Sequence, residues 1–182
     1  LENFPALWIL RAVIAQQFQA VDTAFECFAM VETLALRANF GLQHYFVETA
    51  DTTWKPLLGI GELALKEGLY LKAANAFKQA AHFLPDHDYV LSGWLQSAFL
   101  TRRYNEVTAI LARDTALRGI SDLARASLKA MHQIKESAQA ESTWDTVAQL
   151  LEEAHVDPFT MSVWVELAVL CLQHQKTSLA RQ

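Results

Sequence analysis

Histidine and carboxylate side chains gather at two places in the chain. His82, Asp86, His87 and Asp88 surround Pro85, and Glu152, Glu153, His155 and Asp157 precede Pro158. Imidazole nitrogens and carboxylate oxygens at close spacing are donors that a divalent metal ion uses. Here they fall where polar residues are expected for another reason. His82 lies in an apolar helical pattern, whereas Asp86, His87 and Asp88 occupy the turn that follows it. Glu152 and Glu153 are adjacent, and side chains at i and i+1 do not share a helix face, so they form no acid–base pair. Gly59-Ile60-Gly61 is two-thirds of a phosphate-binding glycine loop, without the third glycine or a preceding strand. No serine stands in a Gly-x-Ser-x-Gly elbow, and Cys27 and Cys171 both have apolar neighbours. Five Trp and ten Phe could enclose an aromatic ligand, but their helical spacing points to core. The expectation is a protein that is not an enzyme, with no catalytic residue, no metal and no cofactor.

The elements that would hold such residues are helices. Of 182 residues, 28 are Ala and 26 Leu, while Gly (6) and Pro (4) supply too few turns for a barrel or sandwich. Apolar residues recur three and four positions apart, as in Trp8, Val13, Phe18, Val21, Phe25 and Phe28, or Ala73, Phe77 and Ala80. Breaks are expected near Asp22, Ala38–Gly41, Asp51–Thr53, Lys66–Gly68, Pro85–Asp88, Thr101–Arg103, Gly119–Ser121, Glu141–Thr143 and Asp157-Pro158, with N-caps at Asp22, Ser121 and either Thr143 or Asp145. The net charge of -5 and scattered Lys and Arg argue against direct nucleic-acid binding. No run of eighteen apolar residues occurs, so no membrane insertion is expected. No signal peptide is visible, and two cysteines in apolar patterns read as reduced core thiols, which places the protein in the cytoplasm. The chain starts without Met, which suggests a fragment of something longer.

The segment 54–87, WKPLLGIGELALKEGLYLKAANAFKQAAHFLPDH, carries small and large residues at set positions: Gly61, Ala73, Phe77, Ala80 and Pro85, with Leu57, Ile60 and Ala64 between them. It resembles a tetratricopeptide repeat (TPR). Leu57 and Ile60 replace the usual Trp and Leu conservatively, and Ala64 replaces the usual large aromatic. The step from Tyr70 to Tyr104 equals the length of one such repeat, so 88–121 reads as a second copy, with Leu95 in place of the small Gly. Trp144, one repeat and six further places beyond Tyr104, marks a third unit (122–160) that carries a short insertion, and a truncated fourth occupies 161–182. Residues 1–53 read as a degenerate TPR-like hairpin, Phe4–Ala38, plus a connector.

The resemblance implies an all-α, right-handed superhelix of antiparallel helix pairs, about three to five repeats in one continuous domain, with the first helix of each pair lining a concave groove. The groove positions carried onto this chain are Lys55, Leu58, Glu62, Leu65 and Lys66; Tyr89, Ser92, Gln96 and Phe99; and Lys129, His132, Gln133, Glu136 and Gln139. TPR domains that clamp a terminal carboxylate use Asn and basic residues where this chain has Gly59, Glu62, Gly93 and Gln96. A mixed surface of Leu58, Leu65, Tyr89 and Phe99 with Gln and Lys suits an apolar or amphipathic segment of a protein or peptide partner. Two functions follow as expectations. One is a protein–protein interaction scaffold. The other is a ligand- or partner-sensing domain of a larger protein, such as a bacterial transcription regulator, for which a closed apolar pocket or an upstream helix-turn-helix segment would speak. A homodimer is also expected, because an array cut inside a repeat exposes an apolar end.

Overall fold

The computed structural model describes residues 4–38, 53–113, 117, 120–136, 141–152 and 157–174. Among the described residues the chain is α-helical without strands, and neighbouring helices pack in pairs. In chain order the helices are α1 (Pro5–Gln17), α2 (Val21–Ala38), α3 (Trp54–Lys66), α4 (Tyr70–Phe83), α5 (Asp88–Leu100), α6 (Tyr104–Leu111), α7 (Asp122–Glu136), α8 (Glu141–Glu152) and α9 (Pro158–Gln173). The chain divides into two compact units, Leu1–Arg103 and Tyr104–Gln182, so the boundary falls inside the expected repeat 88–121.

In the first unit the same local device ends α1, α3 and α5. Gln19, Gly68 and Arg102 adopt left-handed backbone (φ 56°, 73° and 60°). The N–H of the next residue then reaches the carbonyl five places back: Ala20 to Ala15 (2.9 Å), Leu69 to Ala64 (2.8 Å) and Arg103 to Ala98 (2.8 Å). The N–H groups of Gln19, Gly68 and Arg102 themselves bond Gln16, Leu65 and Phe99. This pair of bonds satisfies carbonyls that a helix end leaves orphaned and turns the chain back on itself. The following helices start at Val21, Tyr70 and Tyr104, each two places after its turn, so turns and helix starts share one spacing. From Gly68 to Arg102 that spacing is one repeat length. From Gln19 to Gly68 it is one repeat length with an insertion between α2 and α3. The hairpin of α1 and α2 therefore has the register of 54–87. Ala64, the departure from the repeat pattern, is fully buried at the position of Ala15 and Ala98.

Side chains repeat with the turns. Phe28, Phe77 and Leu111 are buried at equivalent positions of the second helices. Gly59 and Gly93, one repeat length apart, each leave room for the ring of the preceding helix. A Cβ on Gly59 would lie 2.6 Å from Phe28 Cε1, and one on Gly93 would lie 2.6 Å from Phe77 Cε1. Gly61 adds a second wall, 3.0 Å from the Phe77 ring by the same construction. Phe77, 1% exposed, thus packs against both its own first helix and the next one. Helix α3 packs on α4 and on α2, α4 packs on α5, and α3 also touches α5, so the first helices lie side by side.

In the second unit α7 packs against α6, α8 and α9. Two helix starts are joined there. The Ser121 Oγ accepts from the Ala124 N–H (3.1 Å), as expected of an N-cap, and lies 3.1 Å from the buried Thr160 hydroxyl. Asp157 caps α9, with Pro158 at the first helical position, where its missing N–H costs nothing. Trp164 Nε1 donates to the buried Ser127 Oγ (3.3 Å), and the Tyr104 hydroxyl donates to Glu166 (3.4 Å).

Several expectations on local structure are corrected. Asp22 lies within α2, and its carboxylate stands in the first turn instead of capping. The break expected near Glu141–Thr143 falls slightly earlier, since α7 ends at Glu136 and α8 begins at Glu141, so Thr143 and Asp145 lie inside the helix and do not cap it. Trp144 is likewise inside α8 and not at its start, so it is not the counterpart of Tyr104, which opens α6. Phe18 is 80% exposed and Val13 is exposed, because α1 turns only its small residues, Pro5, Ala12 and Ala15, fully inward. The connector 39–52, the turn residue Gly119 and the last helix of the truncated unit, with Ala180, lie outside the described residues.

Candidate functional site

The residues expected to line a groove divide by helix. On α3, Lys55, Leu58, Glu62 and Leu65 are half-buried and Lys66 is exposed, so all five keep some surface open to solvent. They interleave with Gly59 and Gly61, whose places are taken by the Phe28 and Phe77 rings. On α5, Tyr89 is 39% exposed and Gln96 is half-buried. Ser92 and Phe99 do not fit the expectation: they are 3% and 4% exposed. Ser92 Oγ is turned into its own helix, donating to the Asp88 carbonyl (2.7 Å), and Phe99 belongs to the core. On α7, Lys129 and Gln133 are exposed, and half-buried His132 places Nδ1 3.3 Å from Thr108 Oγ1. Glu136 ends α7 with its side chain outside the described residues, as Gln139 is altogether.

Within the first unit, Glu62 and Lys66 meet side chains that the groove positions did not include. Gln16, Gln17 and Gln19 from the end of α1 join Glu62, Leu63 and Lys66 around a cleft of about 290 Å³. Its walls are carboxamides, one carboxylate and one ammonium, which together offer both donors and acceptors. The signal was available in the run Gln16-Gln17, but it becomes meaningful only with the displacement that carries Gln19 onto Gly68. That displacement sets Gln16 and Gln17 at the positions of Leu65 and Lys66. The same register explains Gly59 and Gly93. Each glycine lies under a phenylalanine ring, so no side chain can grow from it to clamp a terminal carboxylate.

A second and larger cleft, about 760 Å³, lies elsewhere in the same unit. Leu57, Ile60, Leu69, Leu71 and Ala76 give it a mostly apolar wall, with Glu32, Lys72, Asn75 and Gln79 among its polar residues. Lys72 Nζ sits 3.4 Å from the centroid of the Phe25 ring, and Asn75 Oδ1 accepts from Arg103 Nη1 (2.9 Å). The cleft is broadly open to solvent.

His87 Nδ1 lies 3.5 Å from Asp88 Oδ1, both side chains well exposed, and His82 is exposed on α4. Asp88 Oδ1 accepts from the Tyr89 N–H (2.7 Å) at the start of α5. Among the described residues no three His, Cys, Asp or Glu side chains converge as a metal site would require. Glu153 and His155 lie outside the described residues, as does the Glu152 side chain. The Asp157 carboxylate accepts from the N–H groups of Phe159 and Thr160 (2.9 Å each) and from the Thr160 hydroxyl. Burial would raise its pKa, but these hydrogen bonds outweigh burial and hold it below the ordinary value. Cys27 and Cys171 are free and buried, and burial pushes the Cys171 thiol up, away from the thiolate that nucleophilic chemistry needs. Among the described residues no helix is long and apolar enough to cross a membrane.

No protein family, curated protein or solved structure matches the chain.

Proposed function

We propose that the chain is a TPR-like helical repeat, wound as a right-handed superhelix, that serves as a protein–protein interaction scaffold. Its partner is a peptide or helix bound along the first helices of the hairpins. The repeat reading is supported by the common spacing of turn, helix start and ring seat. The binding reading rests above all on one observation: α3 and α5 lie side by side and keep Leu58, Glu62, Leu65, Lys66, Tyr89 and Gln96 at least partly open, while the faces turned to the second helices are filled. Mixed apolar and carboxamide surface with one charge of each sign suits an amphipathic segment, whose apolar residues meet Leu58, Leu65 and Tyr89.

Tyr89→Ala combined with Glu62→Lys tests this surface, because both side chains reach solvent and neither fills the core. Affinity capture from the native host identifies the partner, and titration of a peptide from it gives the dissociation constant. A loss of about tenfold or more, ~1.4 kcal/mol, is expected for an aromatic anchor and its polar neighbour. Unchanged affinity in the double variant contradicts the groove reading.

The sensing-domain reading has one observation in its favour, the 760 Å³ cleft with its apolar wall, whose size suits a small organic ligand. That cleft is open instead of closed, which weakens it relative to the scaffold. A small molecule co-purifying with the chain in native mass spectrometry would favour sensing.

A further inference from the structure

The outer side of α1 is a stripe of large apolar residues open to solvent: Phe4, Leu7, Leu10, Ile14 and Phe18 are all exposed, Leu10 by 54%. Their helical spacing sets them on one side, and the lone charge of the helix, Arg11, stands at the border of that side with its guanidinium over the Trp8 ring, 4.6 Å from its centre. The register of the unit says what kind of face this is. With Gln19 set on Gly68, Leu7, Leu10 and Ile14 correspond to Pro56, Gly59 and Leu63 of α3. One repeat length further on they correspond to Val90, Gly93 and Ser97 of α5. In α3 and α5 this is the side that receives a preceding helix, with Phe28 on Gly59 and Phe77 on Gly93. Helix α1 presents the same side with nothing described upon it.

The seat itself is reversed. Where α3 and α5 have glycine, α1 has Leu10, and even a Cβ at the glycine positions collides with the incoming ring. A further helix carrying phenylalanine at the signature position therefore cannot dock on α1 as α2 docks on α3. The stripe does fit itself. In an antiparallel pair related by a two-fold axis, residues whose numbers sum to about 21 stand opposite one another. Leu7 then meets Ile14 of the second copy, Leu10 lies beside its own counterpart, and Phe4 approaches Phe18. Such self-complementarity is what an isologous interface requires. The two Arg11 side chains come near the axis at the border of the stripe, each guanidinium held over its own Trp8 ring. Covering these five side chains on both copies removes on the order of 1,000 Å² of surface, the lower bound for a specific interface.

We infer that α1 is the interface of a two-fold homodimer, formed by antiparallel packing of the Leu7–Leu10–Ile14–Phe18 stripe on that of a second copy. The inference stands apart from the peptide groove, whose residues it does not use.

Sedimentation velocity of the 182-residue chain over a wide concentration range tests it, alongside Leu10→Glu and Leu10→Cys. The expected result is a monomer–dimer equilibrium that Leu10→Glu shifts to monomer without altering the helical circular-dichroism spectrum. Mild oxidation should link Leu10→Cys into a covalent dimer, whereas Leu71→Cys, equally accessible on α4, should stay unlinked. A monomer at every concentration overturns the inference and leaves the stripe to a different partner. So does a dimer that Leu10→Glu leaves intact, or a ladder of larger assemblies of the kind that head-to-tail contacts produce. None of these outcomes bears on peptide capture by the groove.

Discussion

Gln19, Gly68 and Arg102 occupy the same left-handed place after α1, α3 and α5, yet only one of them is glycine. A side chain in that region costs roughly 1 kcal/mol, because Cβ crowds the following carbonyl. Gly68→Ala should therefore destabilise by about 1 kcal/mol, while Gln19→Gly should stabilise, by somewhat less once the added freedom of the unfolded chain is counted. Urea denaturation of the two variants checks both signs. A neutral Gly68→Ala would mean that the turn does not hold the left-handed backbone. Gly68 was legible in the sequence as the turn of a helix pair. Gln19 was not, since no residue type there announces positive φ and the turn shows itself only through the bonds from Gln19 and Ala20 to the α1 carbonyls. Ser92 and Phe99 illustrate the opposite limit. Position in the repeat put them on the groove side, but whether a side chain there faces out depends on how deeply its helix is embedded. Nearly all of α5 is covered.

Helix ends show how much local chemistry decides an element. Asp157 and Pro158 start α9 as their types require, and Ser121 starts α7, whereas Asp22 and Thr143 are equally good capping types that their helices run past. Capping propensity says where a helix can begin; the packing of the apolar side decides where it does. For α9 the cap is also an electrostatic contact, an anion at the positive end of the helix dipole. Its folded pKa lies below the ordinary value of 3.8. The contribution is thus present above that value and lost as pH falls through the folded value. The wild type should lose stability relative to Asp157→Asn, which keeps an acceptor but does not titrate, as pH falls below the ordinary value of 3.8. Asp157→Ala should cost about 1 kcal/mol near neutral pH, seen in urea denaturation. Equal acid sensitivity in the wild type and Asp157→Asn would remove the electrostatic part. The α1 helix was the element least legible in advance. Its period was plain, but Val13 and Phe18 face solvent because the helix carries more apolar surface than its packing on α2 covers.

At the scale of the molecule, periodicity in residues 54–121 was readable because Tyr70 and Tyr104 stand one repeat length apart and glycine, alanine, phenylalanine and proline fall at the signature positions of 54–87. The extension back to α1 was obscured by the insertion before α3, which displaces every signature position. The packing of Phe28 on Gly59 and of Phe77 on Gly93 restores the match, since the same ring meets the same seat. This recurring contact is the central claim: it stacks the hairpins of the first unit, sets α3 beside α5, and leaves their other side partly open. A double-mutant cycle on Phe77 and Gly93 tests it most directly. With Phe77 present, Gly93→Ala drives a methyl into the ring and should destabilise by about 1–3 kcal/mol. Phe77→Ala alone should cost about 3–5 kcal/mol through the cavity it leaves. In the Phe77→Ala background, Gly93→Ala should instead stabilise by up to about 1 kcal/mol, as alanine for glycine does in an unobstructed helix. That reversal of sign is the predicted result. Additive effects, with Gly93→Ala acting alike in both backgrounds, would contradict the stacking contact and the repeat built on it.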